Sequence, residues 1–258
     1  MSKLLLALDT STEVTTVGLA WLHEGAIEMF AASVVDAPRA AMSRVLPTAA
    51  SLLSANELGP RDIAQVIVGR GPGSFTGVRI GVATAKGLAH GRGVPLYGVG
   101  TLDAVAWAFP DDEVLLGVVG DAMRGEVYPA LFECGGGRAT RQAPDRVAKP
   151  AEVAAEWAAL DRPLMLTGNG LRKYRDIFAE ALGERATFAD AELWPPYAHG
   201  LFAAYAEAWR TNSRGDGDPG ALLPTYTRLS DAEEDEAARN SAAPATPPAS
   251  GVRGGDAQ

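Results

Sequence analysis

Residues 64–91 read AQVIVGRGPGSFTGVRIGVATAKGLAHG. Ala64 to Val68 are apolar apart from Gln65 and rich in β-branched types, which predicts a buried strand. Gly69, Gly71 and Gly73 then alternate with Arg70 and Pro72; glycine supplies positive φ at low cost and proline fixes a turn, so a tight, shaped loop follows. Ser74 or Thr76 stands where a side-chain oxygen can cap the free amides of a helix. Val78, Val82, Ala85 and Ala89 recur at helical spacing and predict that helix over 75–90. Gly77, Gly81 and Ala85 make a second ridge with almost no side chain. Each mid-helix glycine costs about 1 kcal/mol against alanine. The close approach of another backbone offsets that cost, and it comes either from the chain's own packing against its sheet or from a helix of a partner.

The loop is not a known phosphate cradle. A P-loop needs lysine followed by serine or threonine at the helix start, whereas Lys86 lies well inside the helix and precedes Gly87. Glycines at 69, 71, 73 and 77 also miss the dinucleotide spacing. Ser74 sits in G-S-F-T-G rather than in the G-x-S-x-G elbow of a nucleophile, and capping is its simpler role. Arg70 and Arg79 flank the loop, either solvated or facing an anion or a partner's acid.

Upstream, Leu4 to Leu8 predicts a buried strand ending at Asp9. The turn Asp9-Thr10-Ser11-Thr12 leads to two further strands, 15–21 and 26–33, as a meander. A helix is expected over 40–55, with Val45, Leu46, Leu52 and Leu53 on its apolar side and Asn56 and Gly59 as stops; Pro47 either kinks it or marks its start. Downstream come a strand at 96–99 and a helix at 102–109. The second half repeats the first: Val114 to Val119 runs to Asp121, a strand follows over 126–132, and Leu164 to Leu166 enters Thr167-Gly168-Asn169-Gly170. A duplicated βββαβα unit predicts a two-lobed α/β fold, ribonuclease-H-like, of the actin, hexokinase and Hsp70 ATPase type. The lobes are drawn at 1–103 and 104–230, with the last helix free to pack back on the first. In that architecture the two turns face each other and hold nucleotide phosphates. The candidates here are Asp9, Thr10, Ser11, Thr12, Asp121, Gly168 and Gly170. Asp9 and Asp121 are hard oxygen ligands suited to magnesium through water; the plainer role is to end a strand and cap its turn. No lysine or arginine in sequence next to either acid would clamp a phosphate.

The chain has 258 residues, 47% of them apolar, enough for a sizeable core. A net charge of -9 argues against a broad nucleic-acid surface, which needs clustered cations. Cys134 stands alone, so no internal disulfide forms. His23, His90 and His199 are not paired at metal-binding spacing. No apolar run reaches membrane-spanning length, and the start lacks the pattern of a signal peptide, so a cytoplasmic location is expected. Residues 231–236, DAEEDE, and the Ala-Pro-rich stretch behind them predict a disordered tail over 231–258.

GRGPGSFTGVRIGVATAKGLA (69–89) resembles the signature of the TsaB (YeaZ) family, and so, in the family's order, do LLALDTSTEVTTVGLA, VVGDAMRGEVYPALF, LTGNG and LPTYTR. The resemblance implies a subunit without a catalytic residue of its own in the machinery that makes threonylcarbamoyladenosine in tRNA. It further implies pairing with the catalytic subunit TsaD through the first two helices. The expected contacts are Met42, Val45, Leu46, Ala49, Leu53, Phe75, Gly77, Val78, Gly81, Val82 and Ala85, so that Gly81→Leu should abolish pairing and leave the monomer folded. A small ATPase, TsaE, joins near the same interface, and tRNA meets this chain only through the complex. No metal or intrinsic cofactor is implied; ATP or ADP with magnesium belongs to the assembled complex. Without its partner the chain is expected to self-associate through the same helices. Met42 departs from the family pattern, which has histidine there. The alternative is a stand-alone ATPase or kinase using Asp9 and Asp121.

Overall fold

The computed structural model describes residues 2–36 and 40–227. Strand β1 (Lys3–Asp9) is buried beyond its first residue, because it pairs antiparallel with β2 (Val14–His23) on one side and parallel with β4 (Ile63–Gly69) on the other. A strand covered on both faces is continuously apolar rather than alternating, which is how KLLLALD reads. β3 (Ala26–Asp36) forms one edge and β5 (Leu96–Val99) the other, in the order β3-β2-β1-β4-β5. Helix α1 (Ala41–Ala55) connects β3 to β4, α2 (Phe75–Arg92) connects β4 to β5, and α3 (Thr101–Ala106) follows.

The second lobe repeats this plan. Strands β6 (Val114–Met123), β7 (Glu126–Gly135) and β8 (Arg138–Arg141) form the meander, followed by α4 (Pro150–Ala158), β9 (Leu164–Thr167), α5 (Leu171–Leu182), β10 (Ala186–Phe188) and α6 (Ala198–Arg210). The sheet runs β8-β7-β6-β9-β10, with the same parallel and antiparallel pairs as its counterpart. The duplication expected from sequence is thus present strand for strand, and the fold is the two-lobed ribonuclease-H-like one.

The terminal helices tie the lobes together. Leu4, Leu6 and Leu8 of β1 face α1 and α2, packing with Val45, Leu53, Val78 and Val82. Leu5 and Ala7 face the other way, onto Leu201, Phe202 and Tyr205 of α6. In exchange, Leu102, Val105 and Ala106 of α3 join Leu116, Val118 and Phe132 of the second sheet. α3 and α6 touch closely at Gly200, where a Cβ would lie 2.0 Å from the Ala104 carbonyl oxygen.

Three details differ from the sequence reading or settle it. α1 begins at Ala41 and runs through Pro47, whose missing N–H leaves only the carbonyl of exposed Ser43 to solvent. α3 ends at Ala106 rather than 109, since Pro110 disfavours helical backbone at Phe109. The expected tail, 231–258, and residues 228–230 of the second lobe lie outside the described residues. Among the described residues no helix is long and apolar enough to cross a membrane.

Candidate functional site

Asp9 ends β1 with its carboxylate fully buried. Its Oδ1 accepts from the Ser11 amide at 2.7 Å and the Ser11 hydroxyl at 2.6 Å, and its Oδ2 accepts from the Thr101 hydroxyl at 2.8 Å. Thr101 Oγ1 in turn accepts from the Gly71 amide at 3.1 Å. A Cβ on Gly69 would sit 1.7 Å from Asp9 Oδ2, so that glycine makes room for the carboxylate. Burial pushes the Asp9 carboxyl above its ordinary range, against the pull of its three donors. These partners bind the turn after β1 to the glycine loop and to α3, and they use both carboxylate oxygens.

Asp121 is engaged as well. Its Oδ1 accepts from the Met123 amide at 3.0 Å and its Oδ2 from Lys173 Nζ at 2.5 Å; that hydrogen bond holds the lysine above its ordinary range. The Asp121 amide donates to Asn169 Oδ1 at 2.9 Å, and Asn169 Nδ2 donates to Glu13 Oε2 at 2.9 Å. Arg172 adds an ion pair to Glu13 at 3.0 Å. Glu13 belongs to the first lobe's turn, Asn169 to the second lobe's glycine turn and Arg172 to α5, so this set joins the two lobes beside the cleft. Sequence reading missed Lys173 and Arg172 because they lie on α5, some fifty residues from Asp121. The usable signal was their position directly behind the second glycine turn.

Gly168 and Gly170 press against β6: Cβ atoms there would fall 2.5 and 2.9 Å from the Val119 carbonyl oxygen. Ser11, Thr12, Thr101, Asp121, Gly168 and Asn169 line a cavity of about 20 Å³, room for about one water. Small-molecule sites measure roughly 300 Å³ or more. Of the seven cleft candidates, Ser11, Thr12, Asp121 and Gly168 line this cavity and Asp9, Thr10 and Gly170 do not, and its volume is far below that of a nucleotide site. Both acids are committed to protein donors, and the glycines serve packing. Among the described residues no cluster of three metal-ligating side chains occurs.

The expected partner-contact residues divide. Val45, Ala49, Leu53, Gly77, Val78, Gly81, Val82 and Ala85 are buried in the chain's own core. A Cβ on Gly77 would lie 2.1 Å from the Thr10 carbonyl oxygen, and one on Gly81 would lie 2.6 Å from Thr10 Oγ1. Gly77 and Gly81 of the α2 ridge are thus filled by the turn after β1, which is the chain's own packing, and a leucine at 81 would meet Thr10. Met42 (75% exposed), Leu46 (48%) and Phe75 (38%) do face solvent. Ser74 caps α2, its hydroxyl accepting from the Gly77 amide at 3.3 Å.

A C-terminal strap completes this surface. The Thr225 amide donates to the Arg70 carbonyl at 2.7 Å, and Lys86 Nζ donates to the Gly220 carbonyl at 3.2 Å. The Tyr226 ring lies beside that of Phe75, 5.4 Å between centroids and tilted by 41°, with Arg79 held against both.

Residues 35–233 match the family model described as TsaD, tRNA N6-adenosine threonylcarbamoyltransferase. The chain is 30% identical over 229 residues to the tRNA threonylcarbamoyladenosine biosynthesis protein TsaB of Bacillus subtilis, covering 89% of this chain and 96% of that one. It is 34% identical over 181 residues to TsaB of Escherichia coli, covering 69% and 76% of the two chains. Among solved structures it resembles YeaZ from Pseudomonas aeruginosa, with a TM-score of 0.71, 30% identity, and coverage of 87% of this chain and 99% of that one.

Proposed function

The chain belongs to the TsaB (YeaZ) family, and from that premise we propose that it is the non-catalytic activating subunit of a tRNA threonylcarbamoyltransferase. Its role lies in the biosynthesis of tRNA threonylcarbamoyladenosine, carried out in the cytoplasm. There it binds TsaD and, with TsaD, recruits TsaE. The observation that carries a supporting rather than a catalytic role is the state of the cleft. Asp9 and Asp121, the residues an ATPase of this fold would turn toward magnesium, are both occupied by donors of the same chain. Glu13 of the first lobe is joined to Asn169 and Arg172 of the second beside the same cleft. That geometry speaks against the stand-alone ATPase or kinase reading.

The partner surface in this reading is the outward side of α1 and α2, centred on Met42, Leu46 and Phe75, and not the buried ridge of Gly77, Gly81 and Ala85. An exposed apolar patch of this kind marks a place where another protein docks. The match to a TsaD model supports a pairing of two chains built on related folds. Titration of the purified chain into TsaD tests it. Met42→Glu together with Leu46→Glu should abolish association and leave the circular dichroism spectrum and melting temperature unchanged. Undiminished association of that variant would overturn the assignment of the surface.

A further inference from the structure

The two helices of that surface carry an unusual charge pattern. The chain as a whole has 32 acidic residues against 23 basic ones. α1 and α2, of 15 and 18 residues, contain no aspartate or glutamate, yet they bear Arg44, Arg79, Lys86 and Arg92. Among the described residues none of these four cations pairs with a carboxylate. Lys86 and Arg92 donate to backbone carbonyls, of Gly220 and Arg61, and Arg79 donates to a phenol.

Arg79 is held ready. Its guanidinium carbon lies 3.7 Å from the centroid of the Phe75 ring and 5.5 Å from that of Tyr226, and its Nε donates to the Tyr226 hydroxyl at 2.9 Å. Ring stacking and that single hydrogen bond fix the plane of the fork, while its two terminal nitrogens have no partner among the described residues. A guanidinium fixed in this way loses little freedom when a carboxylate accepts from both nitrogens, and bidentate pairing is the geometry arginine supports best. Arginine and tyrosine beside an apolar centre are also the residue types that dominate interface energetics.

We infer that the outward face of α1 and α2 receives a protein surface whose polar rim is acidic, with Arg79 the anchor for one of its carboxylates and Arg44 a steering charge. This deepens, and rests on, the reading of that face as the TsaD-binding surface. Met42, Leu46 and Phe75 supply the apolar centre, and the acid-free helices α1 and α2 favour an acidic surface docking there.

The test measures association and dissociation rates of the full chain with TsaD from the same organism, at about 0.05 M and about 0.5 M NaCl, where screening differs strongly. The association rate of the unaltered chain should fall about tenfold or more with salt. Arg44→Glu should slow association about fivefold at low salt with little change in dissociation. Arg79→Lys keeps the charge and loses the fork and the stacking, so it should speed dissociation about tenfold while the association rate holds. Arg162→Glu, the same change of charge on the second lobe, should alter neither rate. Binding that is insensitive to salt and to Arg44→Glu and Arg79→Lys would overturn the acidic-partner inference and leave the partner reading standing. Absence of binding by the unaltered chain at either salt would overturn both.

Discussion

Thr10 and Gly77 are locked face to face: the threonine hydroxyl donates to the Gly77 carbonyl at 2.7 Å, and a Cβ on Gly77 would fall 2.1 Å from the Thr10 carbonyl oxygen. The turn after β1 is thus seated in the small-residue ridge of α2. The cleft and the helix carrying the proposed partner surface are therefore one mechanical unit.

Gly77→Ala should destabilise the isolated chain by about 3 kcal/mol, because the obstacle is backbone and cannot swing aside. Gly81→Leu should cost at least as much, since Thr10 Oγ1 and Leu8 occupy the space. For a chain of this size, about 3 kcal/mol lowers the melting temperature by roughly 6–12 °C. Thermal unfolding of the two variants without any partner checks this, and unchanged melting would show that the ridge is free.

Asp9 gives a pH signature. Its carboxyl binds a proton more tightly in the folded chain than in the unfolded one, because burial outweighs its three donors. The stability it contributes is therefore complete below the unfolded value, about 4, and is lost as pH rises through the folded value. Asp9→Asn removes that loss. The melting temperature of the variant minus that of the unaltered chain should rise between about pH 4 and pH 7, whatever its sign at pH 4. A difference that is flat with pH would contradict the buried, charge-penalised carboxyl.

Most of this fold was legible because its strands are continuous apolar runs bounded by glycine turns, and because Asp9 and Asp121, with the loops at Gly69 and Gly168, recur in one order. What sequence could not supply was direction. Val78, Val82, Gly77 and Gly81 look equally suited to a sheet, a turn or a partner helix; only the position of Thr10 shows that they face inward. Helical spacing grouped Leu46 with Val45 on one apolar side of α1, and only one of the two is buried. The Glu13, Asn169 and Arg172 latch joins residues some 156 positions apart and has no local pattern.

Glu13→Ala should release that latch. Its ion pair is partly exposed, so the stability lost is under about 1 kcal/mol. Amide hydrogen exchange over residues 167–172 should nonetheless accelerate, by about fivefold, as local opening becomes easier. Unchanged exchange there would mean that packing of Gly168 and Gly170 on Val119 alone closes the cleft.

Arg141 joins α3 to β8 and its following loop. Its Nε and one terminal nitrogen donate to Asp103 at 3.0 and 2.9 Å, and its other terminal nitrogen donates to Asp145 at 2.9 Å. The site is largely shielded, with the Arg141 side chain 20% exposed. Arg141→Met, which leaves two carboxylates facing each other unpaired, should cost about 2 kcal/mol. The expected fall in melting temperature is roughly 4–8 °C. Arg141→Lys should recover only part of it, and full recovery would show that charge alone suffices.

The most direct test of an activating, non-catalytic role is transfer of labelled threonylcarbamoyl from its adenylate to tRNA by purified TsaD and TsaE, with and without this chain. Transfer should depend on the chain, should persist with Asp121→Ala, and should fail with Met42→Glu together with Leu46→Glu. Transfer that proceeds equally well without the chain, or that is lost with Asp121→Ala in a folded protein, would contradict it.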